Sequence, residues 1–237
     1  MTEDEWLNRT YAPDMLRHLR RTLPRERIGD RPGAGYRVFA PERKLRLFAV
    51  AVCNKLRWLF KHDWHRFALD MLEEAAEFAD DPETRQERGV VRSLRELQSE
   101  LDVPTHEDNP DLDLALSRTI RPHELWEGLD GQLYAVQRAL EKAWGNRKPP
   151  FSHDGEYLLC IIGNPFRPVA FAPSWRTETA VALAAGIYAD RAFDRLPILA
   201  DALEEAGCDN ADVLNHCRGP GPHARGCWVV DGVLGKV

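Results

Sequence analysis

The residues best suited to chemistry lie near the end of the chain: Cys208, His216, Cys217, His223 and Cys227. Thiolates and imidazoles are the ligands a tetrahedral zinc prefers. Four of them, Cys208, His216, His223 and Cys227, would converge if the Gly219-Pro220-Gly221-Pro222 turn folds back. The spacing matches no standard zinc knuckle, because the ligands are unevenly spread and no C-x₂-C pair occurs. The competing reading makes Cys208 and Cys227 small buried hydrophobes and leaves the histidines in a turn. No cofactor is demanded by the sequence; a structural zinc is the one these residues would suit.

The same segment brushes against cysteine-phosphatase chemistry, in which a thiolate sits in a loop of amide donors closed by an arginine six residues on. Here that position is His223, and Arg225 comes two later. Pro220 and Pro222 remove two of the N–H groups a phosphate cradle needs. His62 and His65 stand three apart without a third ligand beside them, and Glu73, Glu74 and Glu77 read as an acidic helix face. No catalytic constellation emerges, and the chain reads as a non-enzyme.

A second class of candidate is basic. Arg17, Arg20, Arg21, Arg25, Arg27, Arg31 and Arg37, interleaved with Tyr36 and Phe39, could track a phosphate backbone and stack on bases. Residues 9–66 hold 15 Lys and Arg against five Asp and Glu, within a chain of net charge −6. That surplus suits a nucleic-acid surface or an acidic partner, or two halves docked through complementary charge. No recognition motif accompanies it, and the pI of about 5.8 opposes a dedicated nucleic-acid protein. In GNPFRP, Asn164 before Pro165 favours a turn and Arg167 is placed to bind a carboxylate.

The elements that must position these residues are helical. Leu45, Phe48, Ala49, Val52, Leu56, Leu59 and Phe60 recur at spacings of three and four from Glu42 onward. Asp63 starts a further helix with Phe67, Met71, Ala75 and Phe78 inward, followed by another from Pro82 to about Leu101. Residues 24–41 carry no countable period and read as an exposed basic loop. A long helix is expected over Pro122 to Trp144. Tyr157 to Ile162 is too short for periodicity to arbitrate, and helix is favoured because no good second strand exists to pair with it. Helices follow from Thr177, from Asp194 as a cap to Ala206, and from Asn210 to about Cys217. A final apolar turn runs from Trp228 to Leu234, with Trp228 expected over the 195–206 helix.

The fold class is therefore all-α, in two packed helical units of short antiparallel and orthogonal helices with long loops. Residues 1–102 form the N-terminal unit, 103–152 an acidic linker plus the long helix, and 153–237 the C-terminal short-helix unit. Seven Trp, nine Phe and five Tyr exclude a disordered tail, and a mean hydropathy of −0.46 opposes a membrane span. The acidic opening carries no apolar signal region, and five cysteines point to reduced thiols in a cytoplasm.

The segments MTEDEW, RKLRLFAVAVC (43–53), GNPFRPV (163–169) and RAFDRLPILADALEEAGCDNADVLNHCRGPGPHARGCWVVD (191–231) resemble an uncharacterised, paralogue-rich family of planctomycete-type bacterial proteins. The resemblance covers most of residues 1–80 and 155–237, with 24–41 and 102–113 as additions. It implies lineage and cellular setting and brings no activity across. The expected function is a non-enzymatic helical protein-interaction module with a protein partner. The alternatives are nucleic-acid binding through 17–46 and a metal-dependent or hydrolase-like enzyme centred on 208–227.

Overall fold

A computed structural model describes residues 1–8, 11–22, 25–27, 36–38, 42–55, 57, 63–76, 133–136, 138 and 154–236. The fold is all-α. The chain divides into two compact units, one formed by Met1–Thr10 with Gly155–Val237 and the other by Tyr11–Asp154. The opening helix thus belongs with the C-terminal segment and not with the residues that follow it, a departure from the division at 102 and 153. No described helix is long and apolar enough to cross a membrane.

In the Tyr11–Asp154 unit, α2 (Ala12–Thr22) buries Ala12, Met15, Leu16 and Leu19 on one face. Asp14 lies inside its first turn, paired with Arg17 at 2.8 Å. The expected loop 24–41 contains a small antiparallel ribbon, β1 (Arg25–Arg27) with β2 (Tyr36–Val38). Tyr and Val favour the pleat, and the register sets Glu26 opposite Arg37, a cross-strand pair of opposite charge. Helices α3 (Glu42–Asn54) and α4 (Asp63–Ala76) pack together. The Arg57 guanidinium, just after α3, donates twice to the Asp70 carboxylate of α4 at 2.9 Å.

The inward face of α4 is rotated from expectation. Leu69, Glu73 and Ala76 are buried, whereas Phe67 is 48% exposed. Residues 133–136 are helical, with Leu133 and Val136 buried as the sequence implies. The helix expected over 82–101 and the rest of 122–144 lie outside the described residues.

The other unit is Met1–Thr10 with Gly155–Val237. It holds α1 (Glu3–Asn8), nearly all of α5 (Asp154–Ile162), α6 (Glu178–Asp190), α7 (Leu196–Glu205), α8 (Ala211–Arg218) and α9 (Trp228–Leu234). Tyr157 to Ile162 is helix, as favoured. Thr177 caps α6 by accepting from the Ala180 amide, and Asn210 caps α8 by accepting from the Asp212 and Val213 amides. Asp194 does not cap α7. It sits in a 3₁₀ turn, Phe193–Arg195, and Pro197 in the first helical turn sets the entry.

Helix α6 packs on α7 and α9, and α7 packs on α8. Their shared core holds Ala184, Ile187, Leu196, Leu199, Leu203, Val213, Leu214 and Val229, as the apolar spacings require. Trp228 is only partly buried at its edge. Its ring meets Phe171 edge-on at 6.0 Å and His216 at 5.5 Å. It is seated on Gly163, which has no side chain: a Cβ there would stand 3.1 Å from Trp228 Cγ.

Phe171 is seated in a similar way on α9, where a Cβ on Gly232 would lie 2.1 Å from the ring. Gly186, within α6, has nothing near such a Cβ. Gly232→Ala is therefore expected to destabilise by about 1–3 kcal/mol through overpacking. Gly186→Ala is expected to be neutral or stabilising by up to about 1 kcal/mol, because it only gains helix propensity. Urea unfolding of the two variants beside the parent checks the opposite signs.

Candidate metal centre

Four ligand-bearing side chains meet in the unit that contains α5 to α9. They are Cys160 in the last turn of α5, His216 in the last turn of α8, His223 in the Gly-Pro turn, and Cys227 just before α9. All four donor atoms lie within 4.8 Å of one another. Three members are those expected from the sequence. The fourth is Cys160 in place of Cys208.

Local structure explains the exchange. Cys208 closes α7: its amide donates to the Leu203 carbonyl at 2.9 Å, and the Gly207 amide donates to the Glu204 carbonyl at 2.9 Å. This double bond pattern with an apolar residue after the glycine is the Schellman ending, so Cys208 fills the hydrophobic position of a helix stop. Cys160 was invisible as a ligand because it lies in the apolar run YLLCII, where a cysteine reads as one more small hydrophobe. Only the fold reveals that the end of α5 reaches the start of α9.

Two of the six donor–donor separations lie near the edges of a tetrahedral ion's coordination shell, within a group spanning no more than 4.8 Å. With Zn–S near ~2.3 Å and Zn–N near ~2.05 Å, the edges of such a tetrahedron run from about 3.3 to 3.8 Å. Cys160 Sγ lies 3.7 Å from His223 Nδ1, and His216 Nε2 lies 3.2 Å from Cys227 Sγ. The other ring nitrogen of His223, Nε2, lies 3.4 Å from the Gly219 carbonyl oxygen. With its proton on Nε2, His223 would donate to that carbonyl and turn the Nδ1 lone pair toward a metal. That is the outer contact by which metal-bound histidines are usually oriented.

Electrostatics separate the ligand cysteine from the packing cysteines. Burial alone would push the Cys227 thiol up. The hydrogen bond from Cys160, the charge and hydrogen bond of His216, and the His223 hydrogen bond together outweigh it and hold that thiol well below the usual range. Burial pushes the Cys217 thiol up, helped by the neighbouring Cys227 and Cys208, and it raises the Cys208 thiol as well. Those two behave as small hydrophobes. A fully buried, protonated Cys217 also offers no nucleophile, in keeping with the broken phosphatase spacing.

Among the described residues, the basic candidates fall on separate elements. Arg17, Arg20 and Arg21 are exposed on α2, and Arg17 is spent on Asp14. Arg25, Arg27 and Arg37 fall on the ribbon, and Arg31 lies outside the described residues. Arg43, Lys44 and Arg46, within the 17–46 segment, are buried and withdrawn from any solvent-borne phosphate. Arg167 finds its carboxylate: it pairs with Glu3 of α1, and Asp212 lies 3.8 Å away. Of the remaining candidates, Glu73 is buried rather than part of an acidic surface, and His62 and Glu77 lie outside the described residues.

Exchanging single sulfurs tests the assignment. Cys160→Ser should weaken binding of a divalent metal by more than the ~10–100-fold that losing an outer-shell partner costs. Cys208→Ser should leave affinity within about threefold while costing about 1–2 kcal/mol of stability, through a hydroxyl placed where a helix stop wants an apolar group. Competition against a chromophoric chelator reads the first quantity and urea unfolding the second. Against known proteins, no family model, no curated protein and no solved structure matches the chain.

Proposed function

We propose that the chain is a non-enzymatic helical interaction module whose C-terminal segment is locked by one structural zinc on Cys160, His216, His223 and Cys227. The observation that carries this is the meeting of four soft or borderline donors, from α5, α8, the Gly-Pro turn and α9, within 4.8 Å. A two-sulfur, two-nitrogen tetrahedral set favours zinc over harder cations, which want oxygen ligands. Four protein ligands fill the tetrahedron and leave no position for water or substrate, which supports a structural role over a catalytic one. The metal-dependent enzyme alternative is disfavoured on the same ground.

Zinc would act here as a cross-link. The helices it joins have seven to nine residues, too short to persist by themselves. Binding to the folded state alone adds RT ln(1 + [Zn]/Kd), about 4 kcal/mol when free zinc exceeds Kd a thousandfold. All five cysteines are free thiols. That state suits a reducing compartment, so we place the protein in the cytoplasm, within the planctomycete-type family its segments resemble. The interaction role rests on the helical faces and on the want of a catalytic constellation. Nucleic-acid binding through 17–46 is weakened by the burial of Arg43, Lys44 and Arg46.

Elemental analysis of the full-length protein, purified without chelator, should find about one zinc per chain. Cobalt substitution should give the visible bands of a tetrahedral thiolate site, and His223→Ala should remove them. Less than about a tenth of an equivalent of zinc, with no cobalt spectrum on reconstitution, refutes the proposal.

A further inference from the structure

The N-terminal helix α1 has six residues, well below the ~12–15 at which an isolated helix becomes even marginal in water. Its order must come from what it touches. A capping box closes its start: the Thr2 amide donates to Glu5 Oε2 at 2.8 Å, and the Glu5 amide donates to Thr2 Oγ1 at 3.2 Å. Trp6 is fully buried and its indole N–H donates to the Gly163 carbonyl at 3.0 Å. The Glu3 carboxylate accepts from the Asn164 amide nitrogen at 2.7 Å and pairs with Arg167.

Every one of these receptor groups lies just beyond Cys160. Gly163 ends α5 in the left-handed region, at φ +76°, with its amide donating to the Leu159 carbonyl. Trp228 lies against its Cα, on the residue next to Cys227, and its ring also meets that of His216. The dock for α1 thus lies three to seven residues beyond Cys160, and its Gly163 is backed by Trp228, the neighbour of Cys227. A metal bonded to Cys160, His216 and Cys227 would fix the spacing of α5, α8 and α9 that keeps Gly163, and the carbonyl it offers Trp6, seated on Trp228.

We propose, resting on the zinc reading above, that occupancy of this centre gates the docking of α1. The loaded protein holds Met1–Asn8 on the end of α5; the stripped protein releases it and uncovers the Gly163 carbonyl. Coupling of this kind is reciprocal: the factor by which metal tightens α1 is the factor by which α1 tightens metal. Ala184, Leu199 and Leu203 share one apolar core with Cys160 and Cys227, but the carbon contacts that hold α6 on α7 need no metal bond and should survive metal loss.

Hydrogen exchange on the full chain, zinc-loaded and then stripped with EDTA, tests the gate. Stripping should speed exchange at the Trp6, Leu7 and Asn8 amides by at least about tenfold, within the usual range of coupling between sites, while α7 amides change by less than about threefold. Trp6→Phe keeps a buried ring but loses the N–H donor, and should weaken zinc by about 5-fold or more in chelator competition. Stoichiometric zinc with unchanged α1 protection overturns the gate and leaves the zinc site standing. Equal loss across α1 and α7 also overturns it, because the metal would then hold the whole unit rather than this dock. A chain that retains no zinc refutes the underlying site and the gate with it.

Discussion

Two buried thiols that are distant in sequence, Cys160 at the end of α5 and Cys227 at the start of α9, must approach closely enough to share partners. Most else in this unit follows from that approach. It sets Trp228 against Gly163, since the residue after Cys227 can lie on the residue three beyond Cys160 only if that residue lacks a side chain. It places His216, at the end of α8, over the same spot, with Asn210 and its caps fixing how far α8 runs before it gets there. It also presents the Gly163 carbonyl to Trp6, so that a six-residue helix from the other end of the chain finds its one buried anchor.

Polar partners, rather than burial, sort the cysteines. Cys160, Cys208, Cys217 and Cys227 are all nearly inaccessible to solvent. Cys227 faces His216, His223 and Cys160, which together overcome the burial that would keep its proton on. Cys217 and Cys208 meet burial and negative neighbours, and hold their protons more tightly than a free thiol. A thiol in an apolar setting is a packing group; the same thiol beside two imidazoles is a ligand in waiting.

The cations show a similar division. Arg225 is buried, with its guanidinium donating to the Tyr188 and Ala189 carbonyls at the end of α6 and standing 5.3 Å from the Tyr188 ring centre. It neutralises the exposed end of a helix dipole where the sequence offers no basic residue in the last turn of α6. Arg218, on the surface, pairs with Asp201 and Glu204 of α7, a contact of small energetic weight. Charge counted along a segment therefore says little about what that charge faces.

The local half of this architecture was legible in the sequence. Apolar residues at spacings of three and four placed α3, α6, α7 and α8, and the Thr177 and Asn210 caps marked where two of them begin. Those signals act within one or two turns, so one chain carries them without help from the rest. The phase of the α4 face, the α1 alliance with the C-terminal segment, and the pairing of β1 with β2 depend on which surfaces meet, and no local period encodes that. The metal centre divides along the same line. His216, His223 and Cys227 share one short stretch of chain and declared themselves by residue type. Cys160 against Cys208 could not be settled by type, because both are cysteines and no local spacing marks either as a ligand. Only the approach of the end of α5 to the start of α9, and the Schellman ending that occupies Cys208, decided between them, since a ligand is defined by where its lone pair points in space.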